Sequence, residues 1–146
     1  YFLGYTEASI PGLKQAAELK LGVPILGADG WDDPKIWTEA GKAGDGVMYV
    51  FPKAPLSDAF KVAMKEKTGS EEVSICAPQA YDAAKIISQI LEKVGPNSEM
   101  IKTELYAMNY AGGVSANTIS FDSNGDLKEA MYAVKTVKDG KAEEVK

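Results

Sequence analysis

The sequence contains no histidine and no arginine, and Cys76 is its single cysteine. The absence of histidine excludes histidine general bases and histidine metal ligands, and the absence of arginine excludes bidentate guanidinium clamps. A lone cysteine can form neither an internal disulfide nor a thiolate metal cluster. Because neither Cys76 nor any serine has a histidine to activate it, we expect a protein that is not an enzyme and uses no metal or cofactor.

Positive charge is also scarce. The 16 basic residues are all lysines, scattered along the chain, and they face 21 acidic residues for a net charge of −5. Phosphate contacts need clustered positive charge, so we expect no nucleic-acid partner. No apolar run approaches the roughly 20 residues that cross a bilayer. Since residues 1–3 have the pattern of a strand already under way, we expect a piece of a longer protein.

The first fifty residues alternate between strand and helix patterns. Strands are predicted at residues 1–3, 23–26 and 46–51, where short apolar runs end at glycine, proline or polar residues. Helices are predicted at residues 8–20 and 34–40, where apolar side chains recur at helical spacing. Strands that alternate with helices through short links are typical of a parallel α/β sheet.

The rest of the chain has a different order. Three helices are predicted in succession, at residues 56–67, at 78–94, and from a cap at Asn97 or Ser98 through Met108. Two strands follow at residues 118–122 and 131–138, and Asp139-Gly140 predicts a type I′ turn into a hairpin arm at 141–146. The apolar stripe expected to face inward on the second of these helices consists of Ala80, Ala83, Ile87, Ile90, Leu91 and Val94.

Asp29 is the first charged residue after the predicted strand at 23–26. Ligands bind at the carboxyl ends of strands in open parallel sheets, and a carboxylate in that position suits an ammonium group. An alternative is that Asp29 merely shapes an Asx turn. A few residues later, Asp33 is expected to cap a helix that has Pro34 at its first position.

Tyr5 follows the first predicted strand as Asp29 follows the second. An aromatic face beside a carboxylate suits a small zwitterion, although Tyr5 could instead pack against the helix after it. Asp29, Asp32 and Asp33 could form a Mg²⁺ or phospho-acceptor cluster, but a cap at Asp33 and a solvated Asp32 explain the sequence better. The loop at 122–126 matches only the first half of a calcium loop, so we expect a plain turn.

Six segments of the sequence are informative together: residues 1–5 (YFLGY), 21–31 (LGVPILGADGW), 43–47 (AGDGV), 80–83 (AYDA), 119–126 (ISFDSNGD) and 137–141 (VKDGK). In their order and spacing they resemble the C-terminal part of the Leu/Ile/Val-binding proteins, which are substrate-binding proteins of branched-chain amino-acid ABC transporters.

The resemblance implies an α/β fragment of the two-lobed type I periplasmic-binding-protein fold, with parallel sheets flanked by helices. Residues 1–50 would belong to the second lobe, 51–54 to a hinge crossing, and 55–130 to the first lobe. Residues 131–146 would form the final crossing strand and hairpin. Because the three helices would then lack most of their sheet, self-association of this chain through uncovered faces is also expected.

The resemblance also implies a function. The protein would bind a branched-chain or other aliphatic amino acid by lobe closure and deliver it to the membrane permease of an ABC transporter. It would act outside the cytoplasm, in the periplasm or as a lipoprotein on the outer face of the membrane. Tyr5 matches the family's cleft tyrosine, Asp29 the acidic residue that binds the α-ammonium, and Cys76 lies near a cleft-lining position.

Two other functions stay open at this point. One is an amino-acid or amide sensor domain of the same fold, which would signal to a partner rather than supply a transporter. The other is a stand-alone flavodoxin-like or receiver-like domain, which would need a complete parallel sheet of five strands. Only three strands are predicted ahead of the helices, which disfavours this last reading.

Overall fold

The computed structural model describes residues 1–145, and the chain divides into two compact units. The first unit contains Tyr1–Pro52 and the residues from Tyr132 onward, and the second contains Lys53–Met131. Lys146, the last residue of the predicted hairpin arm, lies outside the described residues. The helices and strands of the described residues are α1 (Thr6–Glu18), β1 (Leu26–Gly27), α2 (Pro34–Ala40), β2 (Met48–Pro52), α3 (Asp58–Thr68), α4 (Ala77–Val94), α5 (Ser98–Ala107), β3 (Tyr110–Ala111), β4 (Thr118–Ile119), β5 (Tyr132–Lys138) and β6 (Lys141–Glu144).

The first unit is built on a four-stranded sheet in the order β1-β2-β5-β6. The pair β1–β2 is parallel, which confirms the predicted strand–helix–strand arrangement around α2. The later pairs β2–β5 and β5–β6 are antiparallel, so the sheet as a whole is mixed rather than parallel. The hairpin between β5 and β6 turns at Asp139 and Gly140, whose φ angles of 50° and 73° confirm the predicted type I′ turn.

Two strand predictions in this unit are wrong in extent. Residues 1–3 do not form a buried strand: Phe2 makes a single parallel bridge to Gly27, while Tyr1 and Leu3 are exposed. The strand predicted at 23–26 is only Leu26–Gly27. Gly22 has φ +63°, which takes the chain out of an extended conformation, and Pro24 has no backbone N–H to donate to a sheet.

Helix α1 begins two residues earlier than predicted. The carbonyl of Tyr5 accepts hydrogen bonds from the N–H groups of Ala8 and Ser9, so the first turn forms directly after Tyr5. The helix ends at Glu18, two residues before its predicted end, and Leu21 beyond it is exposed. The helix therefore anchors Tyr5 as its N-terminal flanking residue.

Aromatic side chains dominate the core of the first unit. The ring of Trp31 meets those of Phe2 and Trp37 edge to face, with both centroid distances 5.8 Å, and Trp37 stacks on Tyr49 at 5.4 Å. Such pairs add to the burial of their apolar surface. The fully buried side chains around them include Leu13, Ile36 and Val137, so α1, α2 and the sheet share one core.

The second unit contains α3, α4 and α5, with no strand between them in the described chain, as predicted. Ser57 and Asn97 cap α3 and α5 through their side chains, and Gly69 ends α3 in the left-handed conformation. Helix α5 stops at Ala107, and the next residues form the unpredicted strand β3, which pairs antiparallel with β4. No described helix in either unit is long and apolar enough to span a bilayer.

The predicted inner face of α4 is wrong by about one position. The buried residues are spaced four apart, at Pro78, Asp82, Ile86 and Ile90. Of the predicted stripe only Ile90 is buried, Val94 is half-buried, and the others are exposed. The face that packs has a buried carboxylate, Asp82, in its middle, which the apolar stripe of the sequence does not indicate. In α3, Phe60 is buried, whereas Ala59 and Ala63 are exposed.

Candidate functional site

The turn after β1 carries Asp29. Residues Asp29–Trp31 form one 3₁₀ turn, closed by hydrogen bonds from Trp31 N to Ala28 O (3.0 Å) and from Asp32 N to Asp29 O (2.9 Å). The Asp29 side chain is exposed, and its Oδ1 accepts a hydrogen bond from Gly30 N at 3.1 Å. Within residues 1–145, Oδ2 has no hydrogen-bond partner. The carboxylate thus both shapes its own turn and presents an oxygen to solvent.

Trp31 fixes this turn to the core. Its indole is completely buried and lies directly on Gly27, where an added Cβ would come within 2.2 Å of the ring. Only glycine therefore fits at the end of β1. This close contact fixes the position of Trp31, the last residue of the turn. It therefore restricts the directions in which the Asp29 side chain can point.

Tyr5 lies beside the same turn. A Cβ added at Gly30 would be 3.1 Å from Cδ1 of the Tyr5 ring, which places the ring against the residue that follows Asp29. The Tyr5 side chain is 82% exposed, so it is not buried against helix α1. The two residues predicted at neighbouring strand ends are therefore close together, with an aromatic ring and a carboxylate both open to solvent.

Asp32 is not the solvated loop residue that the sequence suggested. Its Oδ1 accepts hydrogen bonds from Tyr49 Oη (2.6 Å) and Lys135 Nζ (2.5 Å). The Asp32 and Lys135 side chains are only 20% and 22% exposed, and the Lys135 ammonium also lies 4.1 Å from the centroid of the Phe51 ring. Burial, followed by the hydrogen bond to Asp32 and its charge, raises the pKa of Tyr49 well above its usual range.

Asp33 has the predicted capping role. Its Oδ1 accepts from the backbone N–H of Lys35 at 2.9 Å, and its Oδ2 accepts from the hydroxyl of Thr6. The carboxylates of Asp29, Asp32 and Asp33 therefore have different partners. In the described part of the chain, no group of three or more acidic or cysteine side chains converges where a metal ion could bind.

Two further residues of interest lie in the second unit. Cys76 is exposed just before α4 and makes no side-chain cap. Asp82 is 2% exposed, and its carboxylate accepts from Val114 N (3.1 Å), Ser115 N (2.7 Å) and Ser115 Oγ (2.6 Å). Sequence reasoning missed Asp82, although its place four residues from both Pro78 and Ile86 could have indicated a buried carboxylate.

The loop at 122–126 is a hydrogen-bonded turn. Oδ1 of Asp122 accepts from Asn124 N (2.8 Å) and Asp126 N (3.0 Å), so this carboxylate is used within the loop. Gly125 has φ +89°, which the tight turn requires. This geometry is that of the plain turn expected from the sequence.

Comparisons with known proteins agree with the resemblance. No model of a protein family matches the chain. A leucine-, isoleucine-, valine-, threonine- and alanine-binding protein of Pseudomonas aeruginosa is 30% identical over an alignment of 143 residues that covers 92% of this chain and 36% of that protein. The leucine-binding protein LivK of Thermotoga maritima has a TM-score of 0.79 and 26% identity over 99% of this chain and 42% of its own.

A third similar protein is the branched-chain amino-acid substrate-binding protein LivJ of Streptococcus pneumoniae, solved in complex with isoleucine. It has a TM-score of 0.75 and 24% identity over 97% of this chain and 41% of its own, a level that shows the fold alone. The chain thus spans about two fifths of the length of these relatives. The resemblance to branched-chain amino-acid-binding proteins is confirmed, and the chain has part of the type I periplasmic-binding-protein fold.

Proposed function

We propose that this chain is part of an extracytoplasmic solute-binding protein that captures an aliphatic amino acid for the permease of an ABC transporter. The observation that carries the proposal is the exposed carboxylate of Asp29, held in a fixed turn with the Tyr5 ring against the adjacent Gly30. The relatives support it, because the Pseudomonas aeruginosa protein is named for binding leucine, isoleucine, valine, threonine and alanine, and the Thermotoga maritima protein for binding leucine. The chain's own ligand, partner and location are part of the proposal.

In this proposal the Asp29 carboxylate accepts a hydrogen bond from the ligand's α-ammonium. A charge-assisted bond of this kind strengthens when water is excluded. The Tyr5 ring lies over the apolar part of the ligand and shields the ammonium contact from solvent. Both groups are open to solvent in this structure. Tight binding of the ligand therefore requires a further surface that covers the site and excludes water.

We propose that closure of two lobes supplies that cover, with crossings at residues 51–54 and at the start of β5. The division of the chain near Pro52 and Met131 supports this assignment of the crossings. Cys76, exposed before α4, is proposed as a weaker contributor to the lining of the closed cleft. A thiol there would offer a small apolar contact rather than a charged one.

The test of Asp29 is leucine binding measured by calorimetry on the protein that carries this chain. Asp29→Asn removes the charge but keeps the shape, and loss of one charge-assisted bond weakens binding by roughly 10- to 100-fold. Asp45→Asn is the matched control, because Asp45 is an exposed carboxylate of the same unit just before β2. Equal affinities of Asp29→Asn and the wild type would contradict the assignment.

Tyr5 has its own matched control in Tyr1. The two side chains are 82% and 80% exposed, and only Tyr5 lies against the Asp29 turn. Tyr5→Ala is expected to weaken leucine binding several-fold, by about 0.5–2 kcal/mol for a lost aromatic contact. Tyr1→Ala is expected to leave the affinity unchanged. A loss of the same size in both variants would point to a general effect of exposed tyrosines rather than to a ligand contact.

A further inference from the structure

The turn that carries Asp29 is attached to the sheet through a polar link as well as through Trp31. Asp32 follows the turn directly, and its backbone N–H closes the turn on the carbonyl of Asp29. Its side chain is held at the same time by Tyr49 of β2 and Lys135 of β5. One residue therefore joins the backbone of the turn to two strands.

We infer that Asp32 and Lys135 are positioning residues for the Asp29 carboxylate, an inference that rests on the proposed function. They contact no ligand themselves. Fixing the Asp32 side chain fixes its peptide N–H, and this N–H holds the carbonyl of Asp29. If the Asp32 carboxylate is released, the turn keeps Trp31 as its anchor but loses the constraint on its last hydrogen bond, and the direction of the Asp29 side chain becomes less defined.

The pairing of Asp32 with Lys135 also determines which of the carboxylates near the turn already have a partner. Lys135 pairs with Asp32, and Asp33 is used in the cap of α2 and by Thr6. Within residues 1–145, Asp29 makes no ion pair. An arriving ammonium group therefore meets one uncompensated carboxylate at this turn, because the lysine neutralises the other carboxylate that flanks Trp31.

Lys135 lies 103 residues from Asp32 in sequence, after the whole second unit. The turn that bears Asp29 is thus complete only when the chain has returned to the first unit as β5. A truncated chain that ends before β5 would contain Asp29 and Tyr5 but would lack the cation that holds the turn.

The main test is Lys135→Met in the protein that carries this chain, since Met is an unbranched side chain of similar length that lacks the ammonium and with it both the ion pair with Asp32 and the contact over the Phe51 ring. Leucine binding by calorimetry is expected to weaken about tenfold, at a temperature where circular dichroism shows the variant folded. The matched control is Lys93→Met, which removes the ion pair of Lys93 with Glu104 (2.6 Å) in the second unit and is expected to leave affinity unchanged.

A second measurement separates positioning from loss of stability. Hydrogen exchange without ligand is expected to speed up at the amides of Trp31 and Asp32 in Lys135→Met. The amide of Val137, which bonds to Val47 O in the neighbouring ladder, is expected to keep its rate. A variant that is merely less stable would accelerate all three amides together. If Lys135→Met does not fold, Tyr49→Phe removes only the hydroxyl from Asp32 and is expected to give the same local pattern.

The outcomes distinguish this inference from the proposed function. If the wild type binds leucine and Asp29→Asn weakens binding, unchanged affinity in Lys135→Met overturns the positioning role alone. Uniformly faster exchange in Lys135→Met overturns it as well. If Asp29→Asn binds leucine as the wild type does, or the wild type binds no amino acid, the site assignment fails and this inference fails with it.

Discussion

The two units of the chain stabilise their helices in different ways. In the first unit, α1 and α2 pack on a four-stranded sheet, and the shared core contains Trp31, Trp37 and Tyr49. In the second unit, as far as the structure describes the chain, α4 and α5 pack with the two-stranded β3–β4 piece, and the buried residues of this cluster are Ile86, Ile90 and Ile119. The core cluster of the first unit is built on large aromatic rings, whereas that of the second unit is built on isoleucines and half-buried neighbours.

This difference explains which helix predictions succeeded. Helix α2, predicted at residues 34–40, covers a sheet in its own unit, and its apolar residues Ile36 and Trp37 are buried. Helix α4 has no such sheet, and Ile87 and Leu91 remain exposed, although their spacing is that of an inner face. Apolar periodicity indicates that a face can be buried, but only the presence of a packing surface decides whether it is.

The largest expected effect on stability comes from comparing an isoleucine-to-alanine substitution in the first unit with one in the second. Ile36 is completely buried and Ile87 is 37% exposed. Ile36→Ala is expected to lower the free energy of unfolding by about 2–5 kcal/mol through lost burial and a cavity. Ile87→Ala is expected to change it by less than about 1 kcal/mol, because alanine has the better helix propensity. Urea denaturation measures both.

An equal cost of the two substitutions in the protein that carries this chain would contradict the exposed state of Ile87. It would mean that residues beyond those described cover that face of α4. Equal m-values for the two variants are the necessary control, since a changed m-value would indicate a change in the unfolded or folded state rather than in the contact.

The second test concerns the buried polar group of each unit. Asp82→Asn retains the shape but turns an amide N–H₂ toward donors such as Ser115 N, and a buried donor without an acceptor costs roughly 1–3 kcal/mol. Asp32→Asn in the first unit is expected to cost less, since the amide keeps one oxygen for Tyr49 and Lys135, and the side chains at 32 and 135 are about one fifth exposed to solvent. Thermal unfolding followed by circular dichroism compares them, and a larger cost at Asp32 would reverse the order.

Local signals in the sequence predicted several features well. Asp33-Pro34 predicted the cap and start of α2, and Asp139-Gly140 predicted the hairpin turn, because each depends on a few adjacent residues. The parallel pairing of β1 and β2 followed from the alternation of strands and helices. The bounds of β1 were missed, since Gly22 and Pro24 interrupt an otherwise apolar run that alone resembles a longer strand.

The candidate site was predictable only in part. Asp29 and Tyr5 were found because both follow predicted strands of one sheet, and the structure places the Tyr5 ring against Gly30. Their roles in ligand binding remain predictions. The pairing of Asp32 with Lys135 could not be predicted, since it depends on β5 joining β2 after a long excursion of the chain. Such long-range contacts leave no periodic pattern in the sequence.

A smaller effect is expected from the buried hydroxyl of Tyr49. Because the folded-state pKa of Tyr49 lies above its unfolded value of 10.0, its neutral form stabilises the folded protein below that pH. Above about pH 10 the unfolded chain loses this proton while the folded chain keeps it, so stability falls by about 1.4 kcal/mol per pH unit from this group. Tyr49→Phe is expected to lack this part of the decline. The free energy of unfolding of both proteins, measured by denaturation at two alkaline pH values, tests the difference. Identical slopes for both proteins would show that Tyr49 ionises normally when folded.

The smallest effect on stability is expected from Gly30→Ala, which tests the contact between Tyr5 and the Asp29 turn. The φ angle of Gly30 is not in the left-handed region, so alanine fits the backbone, but its Cβ would lie 3.1 Å from Cδ1 of Tyr5. The exposed ring can move away, so unfolding should change by less than about 0.5 kcal/mol, whereas leucine binding weakens a few-fold because the ring no longer lies beside Asp29. In a Tyr5→Ala background the same substitution is expected to have no effect on affinity. A loss that persists without the ring would place the cause in the turn itself, and the contact between Tyr5 and Gly30 would then not be what shapes the site.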